Sequence, residues 1–339
     1  LYVQTHIYDN DADEDGDTDA GPAPTQIRLV VPGARWEIRM TVFRSFLFAP
    51  ANHPRRVEKA FTLDADAVIL DLEDACAISE KAASRSKVTE AMARPRGCLG
   101  YVRINPLSTV FAYGDLTETV RPGLDGVVLP KVEAASDLRT ADWLMAQLER
   151  ERGMPEGGVD LIPIIETARG LACLPEILAA TRRVRRVAFG AGDFTLDLDL
   201  TWTRDENELA SYRGQVVLHS RAAGIEPPLD TVWVDLKDPE GCAASARKAR
   251  EMGFQGKMCI HPEQVDMVNG AFSPTDAQVA RARRVLEAFA QAEAQGSSAI
   301  QLDGQFIDYP IVYAAQRVVA MAQKLARRGG APADAAAAA

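Results

Sequence analysis

Between Arg44 and His261 the chain repeats one pattern eight times: a short apolar, β-rich run ends in a polar or charged residue, and nearly every run leads into a helical pattern. The runs are 44–50, 65–74, 99–105, 126–132, 160–167, 186–193, 231–237 and 257–261. They are continuous rather than alternating, as strands buried on both faces are. Eight strand–helix units over about 220 residues predict an α/β fold, a (β/α)8 TIM barrel. A doubly wound open sheet is the alternative. It wants a glycine-rich phosphate loop after its first strand; Phe46-Leu47-Phe48-Ala49-Pro50 carries none, and Gly190-Ala191-Gly192 lacks the third glycine of a dinucleotide fingerprint.

Local punctuation supports the helices. Ser136 is placed to cap a helix with Leu138, Ala141, Leu144 and Leu148 on one face. Asp238 and Pro239 open another that stops at Gly253, and a third over 206–223 closes at Gly224. Beyond the eighth unit, Ser273-Pro274-Thr275-Asp276 starts a helix, and residues 300–307 read as a hairpin around Asp303-Gly304. A last helix then opens near Pro310 with Ile311, Ala315, Val318, Ala322 and Leu325 as its apolar stripe. The barrel or another subunit is expected to cover that stripe. The organisation predicted is a barrel over 40–272, a C-terminal helical and hairpin extension over 273–328, and a low-complexity disordered tail over 329–339.

Residues 1–39 differ from the rest. Seven acidic residues and no Lys or Arg fall in the first twenty positions, and they hold most of the net charge of −10. This stretch reads as a disordered acidic tail or a misassigned start, with Met40 as the natural alternative. Asp11, Asp13, Asp15 and Gly16 imitate part of a calcium loop, but Pro22 stands where the bidentate glutamate belongs. The remaining body is nearly balanced in charge and shows no basic stripe, which argues against nucleic acid as a partner. No apolar run is long enough for a membrane span. Five scattered cysteines without a CxxC pair read as reduced thiols of a cytoplasmic protein.

In such a barrel the chemistry sits at the C-terminal strand ends. Those ends offer Asn52; Asp71, Glu73 and Asp74; Arg103 and Asn105; Lys131; Glu166; Asp193; Asp235 and Lys237; and His261. No Ser or Cys stands beside a His, so a nucleophilic triad is not expected. Glu166 and Asp193 end consecutive strands, and two hard oxygen donors with open positions suit Mg²⁺ better than zinc. The competing reading is that both carboxylates only form ion pairs with Arg103 or Lys131. Asp71, Glu73 and Asp74 exceed what one metal needs, so their expected work is to hold metal-bound waters and to fix Arg103 or Lys131. Lys131 stands where Schiff-base lysines occur, but its carboxylate-rich surroundings favour a protonated, non-nucleophilic lysine. His261 is expected to fix a loop rather than act as a base, and His53 to be a loop residue near a ligand.

Several segments together resemble one family. They are Arg44-Ser45-Phe46-Leu47-Phe48-Ala49-Pro50, Ala67-Val68-Ile69-Leu70-Asp71-Leu72-Glu73-Asp74-Ala75, Val102-Arg103-Ile104-Asn105, Leu129-Pro130-Lys131, Ile164-Ile165-Glu166-Thr167-Ala168 and Gly190-Ala191-Gly192-Asp193. In order and spacing, over roughly 44–325, they resemble the HpcH/HpaI aldolase/citrate lyase superfamily. The branch most like them is the citrate lyase beta-subunit-like one, which includes malyl-CoA and citramalyl-CoA lyases. The resemblance implies a barrel with a C-terminal lid, a homotrimer or homohexamer, and Mg²⁺ (with Mn²⁺ as a substitute) on Glu166 and Asp193. It also implies that Arg103 and Glu166 touch substrate. Ile307-Asp308-Tyr309-Pro310 is similar to the family's lid motif, whose Asp is the acid/base and reaches a neighbouring subunit's site. One departure stands out: Pro50-Ala51-Asn52-His53 replaces the family's Pro-Gly after the first strand.

The activity implied is Mg²⁺-dependent cleavage of a carboxylated 3-hydroxyacyl-CoA into a 2-oxo acid and an acyl-CoA, or the reverse. Asn52, Arg55 and Arg56 are the candidates for the nucleotide phosphates. The rivals are a pyruvate-type aldolase on free 2-oxo acids, an acyl-carrier citrate lyase beta subunit, and a non-catalytic subunit that only binds the ester.

Overall fold

The structure is a computed structural model that describes residues 27–29, 38–40 and 42–329. The acidic tract with its calcium-loop likeness, and the tail after Gly329, lie outside the described residues. Ile27–Leu29 (β1) and Ile38–Met40 (β2) pair antiparallel. The barrel strands are β3 (Ser45–Pro50), β4 (Ala67–Asp71), β5 (Leu99–Arg103), β6 (Gly126–Leu129), β7 (Asp160–Ile165), β8 (Ala188–Phe189), β9 (Leu229–Asp230) and β10 (Gly256–Cys259). They are all parallel and close in chain order, β10 pairing with β3. This closure removes the open-sheet alternative. The connecting helices are α1 (Pro54–Phe61), α2 (Lys81–Met92), α3 (Ala112–Thr119), α4 (Ala135–Glu151), α5 (Ala168–Ala172), α6 (Leu174–Leu178), α7 (Ala191–Asp197), α8 (Ala210–Ala222), α9 (Pro239–Met252) and α10 (Gln264–Phe272).

The continuous apolar runs are explained by two separate cores. Phe46, Ile69, Tyr101, Val128, Ile162 and Ile164 pack together inside the barrel. The residues between them, such as Leu47, Val68, Leu70, Val102, Val127 and Leu161, pack outward under the helices. Because a strand alternates its faces, the inward series 67–69–71, 101–103 and 162–164–166 carries Asp71, Arg103 and Glu166 to the barrel mouth. The opposite end is plugged by Tyr101, whose hydroxyl donates to Asp160 at 3.0 Å, and by Arg186, which pairs with Asp160 and lies 4.1 Å over the Phe43 ring.

The seventh strand departs from expectation. It is Leu229–Asp230, immediately after Pro227-Pro228, and the β-rich run 231–237 is coil with Val234 and Leu236 exposed. Proline is tolerated just before a strand, where no ladder N–H is needed; the pair therefore starts the strand rather than preceding a loop. Asp235 and Lys237 are consequently exposed loop residues, the Lys237 N–H donating to Asp235 Oδ1 at 2.9 Å. The cap of α4 also differs: Asp137 Oδ2 accepts from the Glu133 and Ala134 N–H groups, and Ser136 lies inside the helix. Asp238 caps α9 as expected, accepting from the Gly241 N–H, and Gly253 ends it with φ +103°.

The described residues from 273 to 329 fall in a second compact unit, distinct from the barrel unit 43–272. Helix α11 (Asp276–Ala294) opens with a Thr275/Gln278 capping box. Strands β11 (Ile300–Leu302) and β12 (Gln305–Ile307) form the hairpin, and Asp303 and Gly304 both take positive φ, as a tight type I′ turn requires. Helix α12 (Tyr309–Gly329) packs Val312 and Ala315 on Ala282, Val285 and Phe289 of α11 and on Ile307. The extension's own first helix thus covers part of the expected stripe, at Ala315 and Val318, and the face is turned so that Val312 is buried and Ile311 is 41% exposed.

All five cysteines are free. Among the described residues no helix is long and apolar enough to cross a membrane.

Candidate active site

The C-terminal mouth of the barrel gathers four carboxylates around two cations. Arg103 at the end of β5 makes a two-pronged contact with Asp71 at the end of β4, Nε to Oδ1 at 2.8 Å and Nη2 to Oδ2 at 2.6 Å. Its Nη1 stands 2.9 Å from Glu73 Oε2, and the guanidinium lies 4.7 Å over the Phe48 ring. Planar, bidentate pairing of this kind fixes orientation as well as charge. The Asp71 carboxylate is held below its ordinary range: burial works against it, but Arg103 and the Glu73 and Ala75 N–H groups outweigh burial.

Lys131 links three carboxylates. It sits just after β6 with φ +51°, a left-handed backbone that a non-glycine residue adopts at a cost. That turn lets its own N–H donate to Glu166 Oε1 at 2.7 Å, while Nζ reaches Glu73 Oε1 at 2.8 Å and Asp193 Oδ2 at 3.2 Å. Burial alone would lower the lysine's pKa, but Glu73, Glu166 and Asp193 raise it, so it stays an ammonium. This argues against Schiff-base chemistry.

Glu166 follows β7 and is almost completely buried; Asp193 lies half-buried in the first turn of α7. Burial, then the charges of Glu73 and Asp193, push the Glu166 carboxyl up to about 8. Gly190 makes room for it. A Cβ there would stand 2.6 Å from Glu166 Oε2 and 2.8 Å from Ile164 Cγ2. Thr167 caps α5 behind Glu166, and Thr231 Oγ1 accepts the Ala191 N–H at 2.8 Å to seat the start of α7.

The charge count tests whether a metal fits. Asp71, Glu73, Glu166 and Asp193 outnumber Arg103 and Lys131 by two, an excess that the metal-free centre relieves by favouring a proton on Glu166. A divalent cation on Glu166 and Asp193 would take the place of that proton. Among the described residues no group of three His, Cys, Asp or Glu side chains is gathered for a metal. The donors present, the Glu166 and Asp193 carboxyl groups, fit Mg²⁺, which binds through one or two carboxylates and keeps its other positions for water and substrate.

The other expected residues lie further out. Asp74 is exposed and touches neither cation. Arg55 and Arg56 are exposed on the first turn of α1, and Asn52 donates through Nδ2 to Glu80 at 2.6 Å. His261 Nδ1 accepts from the Glu263 N–H at 3.4 Å, a loop contact. Asp308 belongs to the second unit, between β12 and α12, where its carbonyl accepts the Val312 N–H. Sequence reading missed Phe48 and Thr231. The inward register of β3 could have pointed to Phe48; nothing local marks Thr231.

A family model described as HpcH/HpaI aldolase/citrate lyase matches residues 44–262, from the first barrel strand to the residue after His261. The chain belongs to the HpcH/HpaI aldolase/citrate lyase family. It is 37% identical over 286 residues to the citrate lyase subunit beta of Leuconostoc mesenteroides subsp. cremoris, covering 82% of this chain and 93% of that one. It is 34% identical over 304 residues to an L-malyl-CoA/beta-methylmalyl-CoA lyase of Cereibacter sphaeroides, covering 83% and 95%. Among solved structures it resembles CitE from Mycobacterium tuberculosis, solved in complex with magnesium, acetoacetate and coenzyme A. That match has a TM-score of 0.68 and 31% identity, and covers 86% of this chain and 99% of that one. A citrate lyase from Burkholderia xenovorans aligns with a TM-score of 0.75 at 21% identity, over 88% and 96%, a likeness of fold. As a member of the HpcH/HpaI aldolase/citrate lyase family the protein is a lyase.

Proposed function

We propose that this protein is a Mg²⁺-dependent carbon–carbon lyase acting on carboxylated 3-hydroxyacyl-CoA esters of the malyl-, citramalyl- or citryl-CoA type. It would release a 2-oxo acid and an acyl-CoA, or run the condensation. The observation that carries this reading is the pair Glu166 and Asp193, two carboxyl groups brought together at Lys131 beside a rigidly held Arg103. The relatives named as malyl-CoA lyases, and the magnesium and coenzyme A of the CitE complex, support it.

Glu166 and Asp193 would hold the metal, which supplies Lewis-acid polarisation of the hydroxyl and carboxylate oxygens of the 2-oxo-acid fragment. Cleavage leaves an enolate on the thioester fragment. Arg103, fixed by Asp71 and Phe48, presents its positive charge to that oxygen without reorganising. Asp308 would deliver a proton to the enolate carbon, or remove it in condensation, from a lid that reaches a neighbouring subunit. Arg55 and Arg56 would meet the nucleotide phosphates.

A second reading, a citrate lyase beta subunit using a thioester on an acyl carrier protein, is favoured by the 37% identity to such a subunit. One assay separates the two. Turnover of malyl-, citramalyl- or citryl-CoA that EDTA abolishes and Mg²⁺ restores is the expected result. Activity confined to a citryl thioester on a carrier protein would select the second reading, and no activity on any thioester would refute both.

A further inference from the structure

Lys81 is a buried cation that the proposed chemistry does not use. It opens α2, only 7% exposed, and its ammonium points under the end of β4. Its three N–H donors meet three oxygens: Leu72 O at 2.9 Å, Glu73 O at 2.5 Å and Asn105 Oδ1 at 2.7 Å. None is a carboxylate, so the usual reason for burying a lysine, pairing with an opposite charge, is absent.

What the contacts share is the loop that carries Glu73. That loop is gripped from both sides of its peptide chain. The Glu73 N–H donates to Asp71 Oδ1 at 2.9 Å, and the Glu73 carbonyl accepts from Lys81. Asn105 adds a second donor to Leu72 O at 3.0 Å and is itself fixed by Asp115 at 2.7 Å. With both ends of its peptide held, Glu73 has one direction in which to project its side chain. That direction places Oε1 on Lys131 and Oε2 beside Arg103.

We infer that Lys81 is a positioning residue for the lyase centre, which acts through the Glu73 main chain to hold the carboxylate that sets Lys131 and Arg103 at their working distances. A lysine suits this task because three converging donors from one point can tie two adjacent carbonyls and a side-chain amide at once. Removing it would leave two buried carbonyls with one donor each and free the loop to rotate.

The inference rests on the lyase reading, so its test has one arm in activity and one in structure. Lys81→Met keeps the buried stem and removes the donors. In a wild-type background it should lower kcat at least about tenfold, the scale of a displaced catalytic group, with KM for the CoA ester changed less than about threefold. In a Glu73→Gln background the same substitution should change kcat less than about twofold, because its effect passes through that carboxylate. Full additivity in the double variant, or an unchanged kcat, would overturn the proposal and leave Lys81 a stabiliser of the loop. A crystal structure of Lys81→Met reads the geometry without any assay: the Glu73–Lys131 contact of 2.8 Å should be broken. Its retention would refute the inference even if the protein proved inactive on every ester, a result that by itself would count against the lyase reading. If Lys81→Met does not fold, Lys81→Gln, which keeps a donor toward Leu72 O, carries the same expectations.

Discussion

Replacing Asp71 by Asn keeps the volume and removes the charge beneath Arg103. Each Asp71 oxygen accepts twice: Oδ1 from Arg103 Nε at 2.8 Å and the Glu73 N–H at 2.9 Å, Oδ2 from Arg103 Nη2 at 2.6 Å and the Ala75 N–H at 3.0 Å. An amide offers one such oxygen. Two of the four hydrogen bonds must be lost, two donors then face an NH₂ group, and the Arg103 charge keeps only Glu73 as a near partner. Breaking one side of a buried ion pair costs about 3–5 kcal/mol. For a barrel of this size that is a fall in Tm of roughly 6–20 °C. Differential scanning calorimetry of the metal-free protein in EDTA at pH 7 measures it. The sign with pH follows from the lowered Asp71 pKa. The stabilisation is complete above the ordinary carboxylate value of 3.8 and is lost as pH falls through the lower folded-state value, so wild type and variant converge in acid. A fall of less than about 2 °C at pH 7 would refute the claim that the Asp71–Arg103 pair organises the mouth.

Three further outcomes are expected. Gly190→Ala places a methyl group 2.6 Å from Glu166 Oε2 at a backbone angle any residue can adopt, and Glu166 is held by the Lys131 N–H. Overpacking of about 1–3 kcal/mol should appear as Mg²⁺ binding weakened roughly 5- to 150-fold in calorimetric titration, and unaltered affinity would sink the Glu166 assignment. Asp308→Asn should lower turnover at least about 100-fold while Mg²⁺ and ester still bind, and mixing it with Glu166→Ala protein should restore part of the activity if subunits share sites. Sedimentation at micromolar concentration should show a trimer or hexamer, in keeping with the exposed Phe306 and Ile311 of the extension, and a monomer would contradict the shared site.

What the sequence disclosed follows from what a buried parallel strand must do. An apolar run that stops at a charge marks the mouth of the barrel, and Asp71, Arg103, Lys131 and Glu166 were all legible in that way. Asp193 was legible from the same rule although it stands one turn into α7, because β8 is only two residues long. The rule failed at 231–237, where β-branched residues outside the ladder imitate a strand and the true one hides behind Pro227-Pro228. Lys81 was invisible for a different reason. In Lys81-Ala82-Ala83-Ser84 it reads as a surface cation on a helix, and only the fold shows that its head lies beneath a strand end.

The left-handed backbone at Lys131 limits how this centre can vary. The residues easiest to place at φ +51°, glycine and asparagine, bring no cation to Glu73 and Asp193. Arginine brings one, but on a longer, planar fork that does not contract to the point occupied by Nζ. Any single replacement at position 131 therefore surrenders either the charge or its placement. A chain drifting toward a new substrate would find this corner of the mouth closed, and would have to vary at the loops around it.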